Sequence, residues 1–398
     1  GEVLDLGISA NRADLLSVLG VSRELAVHQG NSVQVPPLSE SSGDPVDVEV
    51  SVEVPGLCDR YTARVIEGVT VGESPSWMKE RLEASGLRPV NNIVDITNYV
   101  LLESGQPLHA FDRDLLKGKQ ISVRSGKGEK MTAIDGREYE LTPEMLVIAD
   151  QEVPVAIAGV MGGKDSEVHE GTKNILLESA SFDRISVRRT SRKLGLISDS
   201  SYRFERGVDW ATVDWASRRA AQLMAELAGG TVLSGVVDVS RPAPEIAPIA
   251  FRPERVSRVL GMEISAVRIE EILKRIGCEK DGSGAILPPA NRRDLREEVD
   301  LIEEVVRVEG YDRVPSDTAL QTRVVKDQPI DLVRQEVRSI LMGTGCFEVV
   351  TWSFQGKNYS SLEEGVWSKE GPLGLRDPEG NVDRVLRKSI RPSLVEVL

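Results

Sequence analysis

An α+β fold divided among several domains is what this sequence predicts, and three observations carry that expectation. Val46, Val48, Val50, Val52 and Val54 alternate with polar residues at a strict period of two, the pattern of a half-buried strand. Ile93, Ile96, Val100 and Leu101 instead keep helical spacing, with Gly105 placed to stop the helix. The chain has 398 residues, enough for two to four cores, and it is interrupted by a Ser/Pro/Gly-rich stretch at 31–45 and by Pro242, Pro244 and Pro248.

Taken in order, residues 9–28 carry helical apolar spacing at Leu15, Leu16, Leu19 and Leu25. After the linker comes the valine strand, then a strand near 61–69, then a helix with Pro75 near its start and Gly86 after its end. Asn92, Thr97, Asn98 and His109 sit on or just beyond the next helix, which otherwise packs inward. Such uncharged hydrogen-bonding groups can position water or a neutral polar ligand. Equally, Asn91 and Asn92 can be caps, Thr97 can bond back to its own helix, and His109 can be a satisfied, partly buried histidine.

Asp135-Gly136 marks a hairpin turn between 130–134 and 137–141. Strands near 145–149 and 153–158 lead to Gly159-Val-Met-Gly-Gly-Lys-Asp165, which lacks the spacing of a nucleotide phosphate loop and suggests close backbone approach to a ligand. Two short helices, 253–260 and 266–276, give a helix-turn-helix shape, but Glu270 and Glu271 beside Lys274 and Arg275 make a mixed surface, so DNA is not an expected partner. A helical pattern from about Asp331 precedes a strand at 347–354.

Composition narrows the function. Hydrophobic residues at 40% and charged residues at 28% describe a soluble protein, and no apolar run approaches the roughly 20 residues of a membrane span. Cys58, Cys278 and Cys346 are far apart and lack C-x-x-C spacing, so neither a disulfide framework nor a zinc site is indicated and a reducing cytoplasm is expected. A net charge of −14 confines any RNA contact to a patch. Arg184, Arg188 and Arg192 recur at i, i+4, i+8 beside Arg189 and Lys193, with only Asp183 acidic nearby, so a helix there presents five cations on about one face. A solvated helix paired to acids elsewhere is the alternative.

Three long motifs, in order, carry a family resemblance. Residues 88–112 fill every fixed position of R-P-x-N-N-x-V-D-x-T-N-Y followed by G-Q-P-x-H-A-F-D. Leu194-Gly-Leu-Ile-Ser-Asp-Ser-Ser-Tyr-Arg-Phe-Glu-Arg-Gly-Val-Asp209 ends in R-F-E-R-G, and Arg292-Arg-Asp-Leu-Arg-Glu-Glu-Val-Asp-Leu-Ile-Glu-Glu-Val-Val-Arg-Val-Glu-Gly-Tyr-Asp-Arg-Val-Pro315 follows. Together they resemble the beta-subunit family of bacterial phenylalanyl-tRNA synthetases.

The resemblance implies a helical N-terminal remnant and linker at 1–40, a mixed α/β tRNA-editing domain at 41–241, a helix-turn-helix-like domain with an acidic metal-binding helix at 242–318, and the start of a class II synthetase catalytic-like domain at 319–398. Starting at Gly1 and stopping inside that last domain, the chain reads as a fragment. By the same resemblance it supports attachment of phenylalanine to tRNA(Phe), with ATP used at the active site of an alpha subunit in an α2β2 heterotetramer, and it hydrolyses mischarged tyrosyl-tRNA(Phe).

That second activity has a physical motive. An apolar pocket rejects an analogue that merely adds a hydroxyl by only about 10². A second site can use the hydroxyl as a handle, and Glu178, in Asn174-Ile-Leu-Leu-Glu-Ser-Ala180, can accept its hydrogen bond. On the residues alone Glu178 is as readily a strand-end acid capping the next helix. By motif the pocket adds Gly162, Gly163, Ser198 and Ser200, with Thr97, Asn98 and His109 as hydrolytic groups. No Ser-His-Asp or Cys-His arrangement is evident, so Asn98 and His109 are expected to position a water, helped by the terminal ribose of the tRNA. The family often has Ala where Ser200 stands, which leaves pocket size open.

Asp300, Glu303 and Glu304 fall at i, i+3, i+4, with Asp294 six residues upstream. Four carboxylates on one side repel unless a cation lies among them, and Mg²⁺ suits such a set; the resemblance implies a magnesium site shared with the alpha subunit. Salt bridges to Arg307, Arg296 or a partner's cations are the alternative. A structural or RNA-binding subunit with a decayed editing site, and a free-standing deacylase, are the rival functions.

Overall fold

Ser17, in extended conformation, accepts a hydrogen bond from the Gly20 N–H and opens α1 (Val18–Gln29), which Gly30 closes at φ 70°. The computed structural model describes residues 2–39, 44–316, 325–356, 373–374 and 384–398. The chain divides into two compact units, 1–316 and 317–398. Domain boundaries expected near 41 and 318 lie outside the described residues.

The valine segment forms a continuous ladder only over β1 (Glu49–Val52), between Pro45 and Pro55, which have no amide hydrogen to extend it, while the Val46 N–H bonds the Ser234 carbonyl at 3.3 Å. Its alternation survives in the packing, since Val46, Val48, Val50, Val52 and Val54 all meet one core. β2 (Cys58–Glu67) is followed by α2 (Ser76–Ala84), α3 (Asn92–Ser104) and β3 (Leu108–Asp112). Asn91 caps α3 by accepting from the Ile93 and Val94 N–H groups at 3.1 and 2.9 Å, and Gly105 ends it at φ 80°.

β4 (Gln120–Ser125), the hairpin β5 (Glu129–Thr132) and β6 (Glu138–Leu141), and β7 (Leu146–Ala149), β8 (Pro154–Ile157) and β9 (Met161–Gly162) come next. The hairpin turns at Asp135-Gly136 as expected, with Gly136 at φ 80°. Then follow β10 (Asn174–Phe182), α4 (Arg184–Leu194), α5 (Asp199–Phe204), α6 (Thr212–Ala228), β11 (Thr231–Val232) and β12 (Val237–Ser240).

Two sheets result. One runs β1-β4-β7-β8-β9, with β1 parallel to β4 and the rest antiparallel; the other runs β11-β2-β10-β3, all antiparallel, with β12 also on β2. A core containing Tyr61, Phe111, Ile121, Ile148, Ile157 and Leu176 lies between them. On the far face of the second sheet, Ile93, Ile96 and Val100 of α3 and Ala216, Ala220 and Met224 of α6 cover Ala110, Ile175 and Leu177. β10 is therefore buried on both faces.

α7 (Pro253–Leu260), α8 (Ala266–Arg275), β13 (Glu279–Lys280), β14 (Ile286–Leu287) and α9 (Glu298–Glu309) complete the first unit. Proline at the start of α7, Gly261 at its end and Ser265 capping α8 match the expected boundaries. Val256, Ile269, Ile272, Leu301 and Val305 form their core, joined by Val27 of α1.

In the second unit, α10 (Pro329–Gly343) precedes β15 (Phe354–Gly356), β16 (Arg384–Leu386) and α11 (Arg391–Val397). The strand expected at 347–354 is shifted: residues 346–352 have no regular structure and β15 begins only at Phe354. Its described partner spans three residues, which limits the ladder to three pairs.

Candidate functional site

Glu178 sits at the middle of β10, opposite Ala63 of β2 on one side and His109 of β3 on the other. Side chains alternate along a strand, so Leu176, Glu178 and Ala180 share the face turned toward the inter-sheet core. There a cavity of about 50 Å³ is lined by Leu108, His109, Ile148, Ile157, Gly162, Glu178, Ser200 and Phe204, among others. That is room for little more than a water, whose share of liquid volume is about 30 Å³, and less than a phenol requires.

No cation is paired with Glu178 among the described residues; its one side-chain partner is Tyr61, whose hydroxyl donates to Oε2 at 3.4 Å. Burial pushes the Glu178 carboxyl up to about 8, with the Tyr61 hydrogen bond working in the other direction. His109 is half-buried overall, yet its Nε2 is sealed from solvent without a hydrogen-bond partner. Its ring stands edge-on to Phe111 at 4.4 Å, and burial pushes the imidazole down to about 4. Near neutral pH the cavity thus holds an uncharged acid beside an uncharged base.

Glycine at 162 is what admits the imidazole, because a Cβ there would lie 2.3 Å from His109 Cε1. Gly163 has a backbone role instead. Its N–H donates to the Val155 carbonyl at 2.8 Å, and a Cβ would meet that oxygen at 2.6 Å. Ser200 lines the cavity, whereas Ser198 caps α5: its Oγ accepts from the Ser201 N–H and donates to the Val160 carbonyl at 2.8 Å.

Thr97 and Asn98 are not among the residues lining this cavity. Their helix lies on the opposite face of the sheet, and Thr97 Oγ1 donates to the Val94 carbonyl at 2.7 Å, the back-bond that sequence left open. Glu178 and His109 are brought together; Asn98 is not brought to them. Sequence reasoning missed Tyr61, although a phenol in line with Ala63 and Val65, in a strand whose alternate positions are Arg60, Thr62 and Arg64, is a signal, because a buried hydroxyl demands a partner.

Of the four acids expected to hold magnesium, three are otherwise engaged. Arg292 donates to both oxygens of Asp294 at 2.9 and 2.8 Å and also to Glu304 at 2.5 Å. Arg307 bonds both Glu304 oxygens at 2.9 and 2.8 Å and reaches Glu24 of α1. Asp300 Oδ2 accepts the Arg296 and Glu297 N–H groups at the start of α9, and Glu303 is exposed while Glu304 is buried.

Burial alone pushes Glu304 up, but the guanidiniums of Arg307 and Arg292 more than offset this and hold it at about 2. Among the described residues no group of three or more His, Cys, Asp or Glu side chains is arranged to hold a metal. As they stand these four do not form a magnesium donor set, because arginines hold Asp294 and Glu304 and backbone N–H groups hold Asp300. The acids instead line, with Arg12, Arg184, Arg203 and Arg206, a cleft of about 860 Å³.

Arg184, Arg188, Arg189, Arg192 and Lys193 all lie exposed on α4, whose inner face buries Ser186, Val187, Thr190 and Ser191. Lys193 pairs with Glu144 at 2.8 Å. Arg184 turns into the cleft, leaving Arg188, Arg189 and Arg192 as the open row. No helix among the described residues is long and apolar enough to cross a membrane.

The B3/4 domain family matches residues 57–229, which contain the cavity, and the tRNA synthetase B5 domain family matches 249–311, which contain the arginine-held acids. Over 402 residues the chain is 44% identical to a phenylalanine-tRNA ligase beta subunit of Rhodopirellula baltica, covering 99% of this chain and 59% of that protein. A beta subunit of Moorella thermoacetica is 45% identical over 406 residues, covering 99% and 50%.

The chain is similar over nearly its whole length to phenylalanine-tRNA ligase beta subunits. It spans between half and three fifths of the length of these two relatives. An N-terminal fragment of the phenylalanyl-tRNA synthetase beta subunit from Pyrococcus horikoshii is similar at 18% identity and a TM-score of 0.38, over 76% of this chain and 85% of that one. The likeness to these beta subunits agrees with the three motifs that suggested it.

Proposed function

We propose that this chain forms part of a phenylalanine-tRNA ligase and removes tyrosine from mischarged tRNA(Phe) in the cavity around Glu178. The observation that supports this is a buried carboxyl with no cationic partner among the described residues, set beside an orphaned imidazole nitrogen in a small cavity that Ser200 also lines. A carboxyl so placed offers a hydrogen bond to an added phenol, and phenylalanine leaves that bond unmade. His109, whose Nε2 lies buried beside that carboxyl without a hydrogen-bond partner, is the group proposed to hold a water at the ester.

Hydrolysis then follows from positioning. Water oxygen bonds to the ester carbonyl carbon, the bond to the ribose oxygen breaks, that oxygen takes up one of the water's protons, and the other passes to solvent as tyrosine leaves as its carboxylate. His109 Nε2 holds the water; Gly162 leaves the ring its place.

On this reading residues 41–241 are the editing domain, 242–318 the helix-turn-helix-like domain, 319–398 the start of a catalytic-like domain, and 1–40 an N-terminal helical segment. An alpha subunit in an α2β2 assembly is the partner and supplies the active site that uses ATP and magnesium. The Arg188, Arg189 and Arg192 row meets tRNA phosphates, and the protein works in the cytoplasm. A non-catalytic subunit with a decayed pocket is the second reading, favoured only by the small size of the cavity.

Single-turnover deacylation of tyrosyl-tRNA(Phe) by the assembled enzyme decides between them. An unmet hydrogen bond to a buried group costs about 1–3 kcal/mol, so Glu178→Ala should lose roughly ten- to a hundredfold. Parental clearance by that variant, or an equal fall in phenylalanylation, would remove Glu178 from substrate selection.

A further inference from the structure

Glu178 is opposite Ala63 and Tyr61 is opposite Ala180 in the β2–β10 ladder, so the two long polar side chains are diagonal neighbours, each facing an alanine. Diagonal positions lie within reach of long side chains, and the two alanines leave the space they fill. Tyr61 is fully buried, and its hydroxyl makes one hydrogen bond, to Glu178 Oε2. Glu178 Oε1 makes no hydrogen bond to the protein among the described residues, and Glu178 lines the cavity.

We propose that Tyr61 is a positioning residue: by holding Oε2 it aims the Glu178 carboxyl so that Oε1 alone is offered to a hydroxyl-bearing ligand. This rests on the editing role proposed above. A carboxyl free at both oxygens could rotate away from the cavity or satisfy itself with water. Tied at one oxygen by a hydroxyl that burial keeps in place, it presents a single oxygen at a fixed depth, which as the neutral acid can share a hydrogen bond with a para-hydroxyl at the end of a ring. Tyr61 touches neither the ester nor the water and acts only through Glu178.

The variant is Tyr61→Phe, which keeps the ring and removes only the hydroxyl. With the assembled enzyme in excess, its clearance of tyrosyl-tRNA(Phe) should fall about three- to tenfold, while the slow hydrolysis of phenylalanyl-tRNA(Phe) changes less than twofold. The ratio between the two esters is the readout, since a packing defect would slow both alike. In a Glu178→Ala background, Tyr61→Phe should add nothing further.

An unchanged ratio, an equal slowing of both esters, or a further loss in the Glu178→Ala background would each overturn the role of Tyr61. If instead the parent does not clear tyrosyl-tRNA, or Glu178→Ala clears it at the parental rate, the editing role itself fails and this inference fails with it. A ratio that collapses in Tyr61→Phe and in Glu178→Ala, without additivity, supports both.

Discussion

Glu178 and Glu304 are both buried glutamates, 6% and 4% exposed, and their surroundings drive them in opposite directions. Glu178 has a phenol for company and is pushed up to about 8; Glu304 is gripped by Arg292 and Arg307 and held at about 2. Burial penalises the charge at both. What differs is whether a guanidinium repays that cost. The contrast separates a carboxyl kept available for a ligand from one consumed by the fold, where it ties α9 to residue 292 and, through Arg307 and Glu24, to α1.

The largest effect expected from this difference is on stability. Removing one member of a buried ion pair leaves its partners charged and dry, at a cost of about 3–5 kcal/mol. Glu304→Ala should therefore lower unfolding stability by an amount in that range at pH 7, measured by chemical denaturation. Its contribution in the parent is present above the ordinary carboxylate range and is lost as pH falls toward 2. A loss below about 1 kcal/mol would show that the arginines find other partners and that Glu304 is not the hub.

Glu178 should show the reverse dependence on pH. With its ordinary value near 4.5 raised to about 8, its contribution is complete below 4.5 and is lost as pH rises toward 8. His109 runs the other way, its contribution present above 6.5 and lost as pH falls toward 4. Between 4.5 and 6.5 the two slopes oppose, and from 6.5 to 8 only that of Glu178 remains. Tyr61 and Cys58, both pushed upward by burial, titrate above that window. At about 1.4 kcal/mol per unit, the parent should lose roughly 2 kcal/mol over the upper interval, and Glu178→Gln should abolish that decline. Parallel stability curves for the two proteins from pH 6.5 to 8 would mean that the native carboxyl is already ionised.

Local features of both regions were legible in the sequence. Asn91 and Gly105 bound α3 as read, and Ser265 and Gly261 frame the short helices as read. Relations across the sheet were not. β10 is buried on both faces, so its period of two is hidden, and nothing in the chain order says that α3 covers the face away from Glu178. Thr97 and Asn98 were grouped with His109 for that reason. Helical spacing likewise put Asp300, Glu303 and Glu304 near one another, but it could not show that Leu301, Ile302 and Val305 turn Glu304 inward onto Arg292. The family motif marked these residues as special; geometry decides what they do.

The smallest effect, and the one that bears most directly on the acidic group, is the response to magnesium. An ion there would have to displace Arg292 and Arg307 from Glu304 and Asp294, giving up bidentate charge-assisted bonds for new ones. Asp300 and Glu303 alone remain free of arginine, and Asp300 is committed to two backbone N–H groups. Adding millimolar Mg²⁺ to this chain at constant ionic strength should shift its unfolding free energy by less than about 0.5 kcal/mol, whereas a ligand at a hundredfold its dissociation constant adds about 2.7 kcal/mol. A shift of the larger size that vanished in Glu303→Gln would mean that the arginines yield to the metal, and Glu304 would then belong, with Glu178, among the carboxyls held ready for a ligand.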